Sequence, residues 1–336
     1  MGTKTFKELT TFKVGGKIKK FKEVSSDVEI LDAIKYAKEN NLEIFVLGGG
    51  SDILVSDKDF NGLVIKHVGK KVKIDNESVT SEAGVEWDDL VRTTVENNLQ
   101  GIECLSGIPG TVGGAPVQNI GAYGQEIKDT FVSLKAVNLK TGEVKLFSKE
   151  DCCFKYRESI FKDPEYWQKY LITEVNLKLN KDKDPDIKYE SLSKYLVDHL
   201  LSKPSLKDVR NAVLDIRSHK FENPKLVGNA GSFFKNPVIN TETAEKLTKD
   251  YPDISLREQS DGKYKAFAGW FIEKAGWKGK EYKTAAVSKE HALVLVNPSG
   301  NAIADDVYEL SNEIIKDVES KFGIKLETEV QFINFN

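Results

Sequence analysis

The sequence predicts an α+β fold composed of several small domains. Its 336 residues exceed the usual length of one domain, and a hydrophobic content of 40% can form real cores over that length. Strand-like and helix-like segments are mixed along the whole chain, and no fixed-period repeat is visible. We therefore expect two to three domains, with a boundary near residue 220.

The first predicted unit covers residues 1–68. Asp27 is expected to cap a helix with an apolar stripe, and residues 44–47 form an apolar strand. That strand leads directly into Gly48-Gly-Gly-Ser-Asp52, where bare backbone amides could converge on a phosphate. The pattern is neither a Walker loop nor a dinucleotide fingerprint, so an ordinary connecting loop is the alternative.

The second predicted unit covers residues 69–220. It contains a helix over residues 87–98, a hairpin with its turn at residues 140–143, and a helix that Ser205 and Asp208 open as a capping box. Between the first helix and the hairpin, residues 107–124 form a long loop rich in glycine and apolar residues. This loop and the one at Gly48 could enclose a dinucleotide pyrophosphate.

The last predicted unit, residues 221–330, contains Gly228-Asn-Ala-Gly-Ser-Phe-Phe-Lys-Asn-Pro237. This segment sets a hydroxyl, a cation and two amides among glycines and aromatic rings. The glycines allow positive φ or close backbone approach, so Ser232 could face a ligand, although a surface turn is an equal alternative. Helices are expected over residues 266–275 and 305–321, and a closing strand over residues 326–333.

Two charged residues outside the glycine-containing segments could also contribute to a site. Arg157 lies among aromatic residues, and its planar guanidinium suits a carboxylate or phosphate. An internal ion pair with Glu158 or Asp163 is an equal alternative. Glu329 shares an alternating strand pattern with Glu327, for which a solvated strand face is the simpler interpretation.

Composition excludes several classes of protein. The net charge of −3, with interspersed signs, argues against a nucleic-acid partner. No apolar run approaches the about 18 residues of a membrane helix, and the N-terminus lacks an apolar signal core. Neither the three cysteines nor the four histidines show metal-binding spacing, so we expect no metal. The few cysteines cannot build a disulfide framework, which, with the missing signal core, predicts a cytoplasmic protein.

Five motifs occur in order along almost the whole chain and resemble those of the UDP-N-acetylenolpyruvoylglucosamine reductase family. They are Thr11-Phe12, the loop at Gly48, the pair Ile108-Pro-Gly-Thr-Val-Gly-Gly-Ala-Pro116 and Gln118-Asn-Ile-Gly-Ala-Tyr-Gly124, Tyr156-Arg-Glu-Ser159, and the Ser232 segment. The chain departs from the family pattern in three places. Thr10 and Asp52 stand where Asn is usual, and Phe221-Glu-Asn-Pro224 stands where Leu-Pro-Asp-Pro is usual.

The resemblance implies an FAD-binding fold of the vanillyl-alcohol-oxidase (PCMH) type. Residues 1–68, joined by a tail over residues 331–336, and residues 69–220 would hold FAD, and residues 221–330 would form an α+β domain for a UDP-sugar. The implied FAD-binding residues are Thr11, Gly48, Gly49, Gly50, Ser51, Asp52, Ile108, Pro109, Gly110, Gly113, Gly114, Asn119, Gly121, Ala122 and Tyr123.

The resemblance also implies a reaction of peptidoglycan precursor synthesis. NADPH reduces FAD, and the enolpyruvyl ether of UDP-N-acetylglucosamine is then reduced in the same site. Arg157 would bind the substrate carboxylate, Ser232 would donate a proton to carbon, and Glu329 would stabilise the developing charge. The implied substrate-binding residues are Tyr189, in a type I covering loop over residues 184–200, and Lys220, Lys235, Asn236, Lys278 and His291.

Two other functions are compatible with these features. One is a different oxidoreductase of the same flavin fold, although neither glycine-rich loop contains the cysteine or histidine that commonly anchors flavin covalently. The other is a catalytically silent protein that binds flavin or a nucleotide sugar. We expect the chain to be a monomer.

Overall fold

The computed structural model describes residues 4–335, which divide into two compact units. The first unit comprises residue 4, residues 18–50 and residues 60–218, and the second comprises residues 5–17, 51–59 and 219–335. The division into three domains stays a prediction. Residues 1–3 and 336, at the ends of the predicted first domain and its tail, lie outside the described residues.

Two sheets form the framework of the first unit. The smaller sheet is parallel, in the order Ile18–Val24, Phe60–His67, Ile44–Val46. The larger sheet is antiparallel, in the order Val144–Ser148, Phe131–Asn138, Tyr170–Lys178, Ser78–Glu82, Val72–Asp75. Its first two strands are the predicted hairpin, which the turn at residues 140–143 closes.

The helices of the first unit begin where side chains satisfy exposed backbone amides. Ser26, rather than the predicted Asp27, caps Asp27–Glu39, because Ser26 is still extended and its side chain accepts from the Glu29 amide. The capping box predicted at Ser205 is confirmed, since the amide of Asp208 donates to the Ser205 hydroxyl at 3.2 Å. The remaining α-helices of this unit are Trp87–Glu96, Glu190–Asp198 and Leu206–Lys220, whose last two residues are counted with the second unit.

Short elements complete the first unit. The 3₁₀ helices are Glu103–Leu105, Ala115–Gln118, Ile127–Asp129 and Ile160–Lys162. The two-residue strand pairs are Leu99–Gln100 with Asn180–Lys181 and Gly121–Ala122 with Gln125–Glu126. The predicted long loop at residues 107–124 therefore holds one helical turn and the first strand of one two-residue pair. The predicted covering loop at residues 184–200 is largely the helix Glu190–Asp198.

The second unit contains three sheets. A four-stranded antiparallel sheet has the order Gly228–Ser232, Val294–Asn297, Ala285–Val287, Glu281–Tyr282. A three-stranded sheet has the order Val238–Ile239, Tyr264–Ala266, Leu256–Glu258, and Gln331–Ile333 pairs in parallel with Ile53–Val55. The helices are Phe6–Leu9, Thr241–Asp250, Ala268–Lys274 and Ala304–Phe322.

A large hydrophobic core lies within the second unit. The helix Ala304–Phe322 contributes Val307, Leu310, Ile314 and Val318, all fully buried against Phe233, Phe271 and Leu295. Burying an aliphatic side chain of this size stabilises the fold by about 1.5–3 kcal/mol. The long amphipathic helix is thus tied to the strand that carries the Ser232 segment.

The closing strand is shorter than the predicted residues 326–333. Only Gln331–Ile333 is a strand, and Glu329 and Val330 lie in a bend. The amides of both residues donate to the carbonyl of Phe233, at 2.9 Å and 3.4 Å. Because two successive amides converge on one acceptor, the extended conformation is interrupted at Glu329.

Within residues 4–335, no helix is both long enough and apolar enough to span a bilayer.

Candidate active site

Two glycine loops of the first unit lie in direct backbone contact. A β-carbon built on Gly49 would come within 2.6 Å of Gly110 Cα and 3.3 Å of the Thr111 amide nitrogen. One built on Gly48 would lie 3.3 Å from Thr111 Oγ1. These separations leave no room for a side chain at Gly49. The structure therefore brings together the two loops that the sequence singled out.

Several residues of the second loop adopt the left-handed conformation. Gly110 has φ of 127°, and the non-glycine residues Asn119 and Tyr123 have φ of 47° and 48°. Arg157, outside this loop, also has a positive φ, of 55°. Residues with a β-carbon adopt this region at a cost of about 1–3 kcal/mol, so the surrounding contacts must hold them there. Such outliers are concentrated at ligand sites, which supports a functional loop here.

Asn119 is held by its own side chain. Its amide nitrogen donates to Glu126 Oε2 at 3.1 Å and to the Lys155 carbonyl at 3.0 Å. Its amide oxygen accepts from the Lys128 amide at 3.1 Å. The buried side chain thus braces the loop internally, and its predicted contact with FAD stays a prediction.

Gln118 was missed by sequence reasoning. Its Oε1 atom is buried, and no hydrogen-bond donor for it is found in the described chain. A buried amide oxygen without a donor costs about 1–3 kcal/mol, which a ligand N–H or hydroxyl group would offset. The residue falls inside the quoted family-like segment, and the available signal was a polar side chain between apolar neighbours. The glycine cradle and this acceptor fit an FAD molecule.

Arg157 is directed to the same loop. Its Nη2 donates to the Gly121 carbonyl at 2.7 Å, and a β-carbon on Gly121 would lie 3.0 Å from Nη1. The Tyr156 ring centre is 5.2 Å from the guanidinium carbon. A planar group with several fixed N–H donors therefore lies at the predicted flavin loop, where it suits a carboxylate.

The second unit presents Ser232 at the end of the strand Gly228–Ser232. The pairing register with Val294–Asn297 shifts between Asn229 and Ser232, and Gly231 has φ of 73°. This bulge leaves Ser232 half-buried. Within its own unit, no described residue hydrogen-bonds its hydroxyl. The hydroxyl is therefore able to donate to a ligand.

The Glu329 segment lies beside the Ser232 segment. The carbonyl of Phe233 accepts from the Glu329 amide, and the amide of Lys235 donates to the Glu327 carbonyl at 2.8 Å. The two acidic side chains differ in surroundings. Glu327 is exposed and its Oε2 lies 3.7 Å from Lys235 Nζ, whereas Glu329 is half-buried in the bend. The tertiary structure thus brings segments about a hundred positions apart into contact and separates the two carboxylates.

Three predicted substrate-binding residues of the second unit form a basic cluster of Lys220, Lys278 and His291. Burial, together with charge repulsion from the two lysines, lowers the pKa of His291 to about 4. The imidazole is therefore neutral at pH 7, and the lysines carry the positive charge. Lys278 also lies 3.1 Å from Glu273 Oε1.

Other predicted residues have roles within the fold. Asn236 Oδ1 accepts from the Ala268 amide at 3.0 Å, at the start of the helix Ala268–Lys274. The Tyr189 ring packs edge-to-face on Tyr123, with ring centres 5.6 Å apart. The carbonyl of Thr11 accepts from the Asn229 amide at 3.1 Å. Ligand contacts of these residues stay predictions.

The predicted FAD-binding residues are divided between the two units. Thr11, Ser51 and Asp52 belong to the second unit and the others to the first. Asp52 has φ of 60°, and its carbonyl accepts from the Gln331 amide at 3.1 Å. The tail of the chain therefore holds the end of the Gly48 loop segment in the second unit.

Comparisons with known proteins identify relatives of this chain. The profile of the UDP-N-acetylenolpyruvoylglucosamine reductase C-terminal domain matches residues 222–333, and that of an FAD binding domain matches residues 19–148. The UDP-N-acetylenolpyruvoylglucosamine reductase of Flavobacterium johnsoniae is 45% identical over 98% of both chains. That of Pseudomonas fluorescens strain Pf0-1 is 39% identical over 97% of this chain and 96% of its own.

A solved structure is similar as well. The crystal structure of UDP-N-acetylenolpyruvylglucosamine reductase from Thermus caldophilus aligns with 99% of this chain and 98% of its own chain. The sequence identity is 25% and the TM-score is 0.69. The predicted α+β fold with an FAD-binding domain is confirmed. On these similarities, the chain belongs to the UDP-N-acetylenolpyruvoylglucosamine reductase family.

Proposed function

We propose that the chain reduces the enolpyruvyl ether of UDP-N-acetylglucosamine to UDP-N-acetylmuramate, with FAD as cofactor and NADPH as electron donor. The observation that carries this proposal is the contact between residues 233–235 and 327–330 in the second unit. It brings to neighbouring segments a half-buried carboxyl group and the Ser232 hydroxyl, which has no hydrogen bond within the described residues of its unit. Family membership supports the choice of substrate.

The first unit would hold most of the cofactor. The backbone of Gly48 to Gly50 and of Gly110 to Gly114 suits the pyrophosphate, because amides without side chains can approach it closely. Gln118 Oε1 would accept a hydrogen bond from the bound group. When bound, FAD supplies two-electron chemistry between NADPH and the vinyl carbon of the substrate.

Arg157 would bind the carboxylate of the enolpyruvyl group. Negative charge develops on the carbon that bears this carboxylate when the neighbouring vinyl carbon is reduced. A guanidinium already fixed by the Gly121 carbonyl stabilises that charge without having to reorganise.

Ser232 would deliver the proton that this carbon needs. A hydroxyl is a weak acid, but the carbanion-like centre is a stronger base than the serine alkoxide, so the proton transfer is downhill. Glu329, in its protonated form, would donate a hydrogen bond to the same charge. Lys220 and Lys278 would bind the diphosphate, for which local cations are necessary because the chain has a net charge of −3.

Ser232→Ala tests the proposal through the two half-reactions. Rapid-mixing absorbance of the FAD-loaded enzyme should show nearly unchanged reduction by NADPH. Reoxidation by the enol ether should be about 10²–10⁴-fold slower, which is the usual contribution of a general acid. Ser299→Ala, at an exposed serine of the same unit, is the matched control. Equal slowing of both half-reactions would remove Ser232 from the protonation step.

The same measurements separate the alternatives. A different flavin oxidoreductase would oxidise NADPH or another donor without any response to the UDP-enolpyruvyl sugar, and a silent binding protein would turn over neither. We also propose a cytoplasmic monomer that needs only small-molecule substrates and no nucleic-acid or membrane partner. Sedimentation of the loaded enzyme at two concentrations tests the monomer.

A further inference from the structure

Glu222 is a carboxylate at a position where the family pattern has proline. It follows the helix Leu206–Lys220 and belongs to the second unit. Its Oε1 accepts a hydrogen bond from the Ser288 hydroxyl. Its backbone carbonyl accepts from Asn229 Nδ2 at 3.1 Å. Both ends of the residue are therefore fixed to the unit.

Ser288 passes this constraint to the loop that follows it. The serine is 1% exposed, and its Oγ accepts from the amides of Glu290 and His291 at 3.0 Å and 3.1 Å. A hydroxyl has one proton and two lone pairs. Because Glu222 accepts that proton, both lone pairs can face the two amides and fix the backbone of His291.

The imidazole of His291 is fixed on two more sides. Its Nδ1 accepts from the Leu293 amide at 3.1 Å, so in the neutral ring the proton resides on Nε2. The Phe221 ring stacks on it, with centres 5.7 Å apart and planes at 24°. Phe221 adjoins Glu222 in the chain, so the anchored carboxylate also holds this ring. Within the described part of the unit, Nε2 has no hydrogen-bond partner.

The charged groups around the ring belong to three segments. Lys220 and Lys278 lie close enough to disfavour a second proton on the imidazole, and burial acts in the same direction. The acidic groups of these segments are Glu222, directed to Ser288, the exposed Glu290, and Glu273, which pairs with Lys278. The imidazole is thus a neutral N–H donor near two cations.

We propose that Glu222 is a positioning residue that acts through Ser288 and Phe221 to hold His291, so that His291 Nε2–H donates a hydrogen bond to the UDP-sugar beside Lys220 and Lys278. The ligand class rests on the proposed function. The positioning itself rests only on the contacts described here. Glu222 would influence substrate affinity more than turnover, because it would contact neither the vinyl carbon nor the carbon that bears the carboxylate.

Histidine-ring NMR of the FAD-loaded full chain tests the positioning. The chain has four histidines, and the His291 signals are those lost in His291→Gln. We expect wild type and Glu222→Gln to show one neutral Nε2–H tautomer from pH 5.5 to 8, because glutamine keeps the acceptor for Ser288. Glu222→Ala and Ser288→Ala should show a mixture of tautomers. Glu290→Gln, a carboxylate on the same loop, is the matched control.

Titration of the oxidised enzyme with UDP tests the ligand. Glu222→Ala should raise the dissociation constant by about 3- to 10-fold, the effect of one misplaced hydrogen bond, with kcat little changed. A single tautomer and wild-type affinity in Glu222→Ala, or in Ser288→Ala should the former not fold, would overturn the proposal. Absence of UDP binding in wild type would overturn the ligand assignment and the proposed function, while the NMR result would still decide the positioning.

Discussion

Acid should destabilise the second unit through His291. Burial, with Lys220 and Lys278, lowers the pKa of this imidazole to about 4 from its ordinary 6.5. The unfolded chain therefore takes up a proton near pH 6.5, whereas the native protein takes it up near pH 4. Between these values the unfolded state binds more protons, so the free energy of unfolding decreases as the pH falls. The stabilisation is fully present above pH 6.5 and is lost progressively toward pH 4.

The size of the effect follows from the two pKa values. At pH 5 about 97% of the unfolded imidazoles carry the proton, against about 10% of the native ones, and each unit of pKa difference is worth about 1.36 kcal/mol. The expected loss between pH 7 and pH 5 is about 2 kcal/mol. His291→Gln keeps a side-chain N–H donor but does not titrate, so it should not show this component.

Hydrogen exchange of the backbone amides in Val294–Asn297 measures the free energy of opening in this unit. The difference between wild type and His291→Gln should shrink by about 2 kcal/mol from pH 7 to pH 5, because every other titrating group cancels. His199→Gln, at an exposed ring of the first unit, is the control. A wild-type minus His291→Gln difference that is constant to within about 0.5 kcal/mol over this range would refute the reasoning.

Three further substitutions have definite expected outcomes. In Gly49→Ala the new β-carbon would lie 2.6 Å from Gly110 Cα, so the two loops must move apart. Fluorescence titration should then give a dissociation constant for FAD about 10- to 100-fold higher than in wild type. An unchanged affinity would contradict the role of these glycines in FAD binding. Asn297→Ala removes the side-chain donor to the carbonyls of residues 12 and 13 and the acceptor for the Ala302 amide. Urea denaturation should therefore show a free energy of unfolding about 2–4 kcal/mol lower than in wild type. Asn301→Ala, at an exposed position, should leave it almost unchanged. Arg157→Lys keeps the positive charge but loses the planar guanidinium, which can bind a carboxylate with two N–H donors. Reoxidation of the flavin by the enol ether should slow at least about 10-fold, while its reduction by NADPH changes little. Equal effects on the two half-reactions would show that Arg157 does not bind the substrate.

Elements with local causes could be predicted from the sequence. The helix opened by Ser205 and Asp208, the hairpin closed at residues 140–143 and the helix Ala304–Phe322 follow from side chains a few positions apart. The ends of the helices were predicted less accurately. Trp87–Glu96 ends before the predicted Asn98, because Asn98 has φ of 56°, and a left-handed residue cannot continue a helix.

The candidate site was predicted mainly through family-like motifs, and its geometry depends on non-local contacts. Glu329 was assigned to a regular strand, and the bend that distinguishes it from Glu327 comes from the Phe233 carbonyl. Gln118 was overlooked because an unpartnered oxygen is a property of the folded loop. In the same way, the contact between Gly49 and Gly110 depends on how two loops meet.

The sequence alone determined the fold class, the family and the residue types that the chemistry needs, since motif spacing and periodicity are properties of the chain itself. Tertiary structure decided how those residues are held. Ser232 lies on a bulge beside the Glu329 bend, and His291 is neutral because burial and two lysines disfavour its charge. Hydrogen-bond partners, burial and charge state depend on segments distant along the chain, which only the packed fold brings into contact.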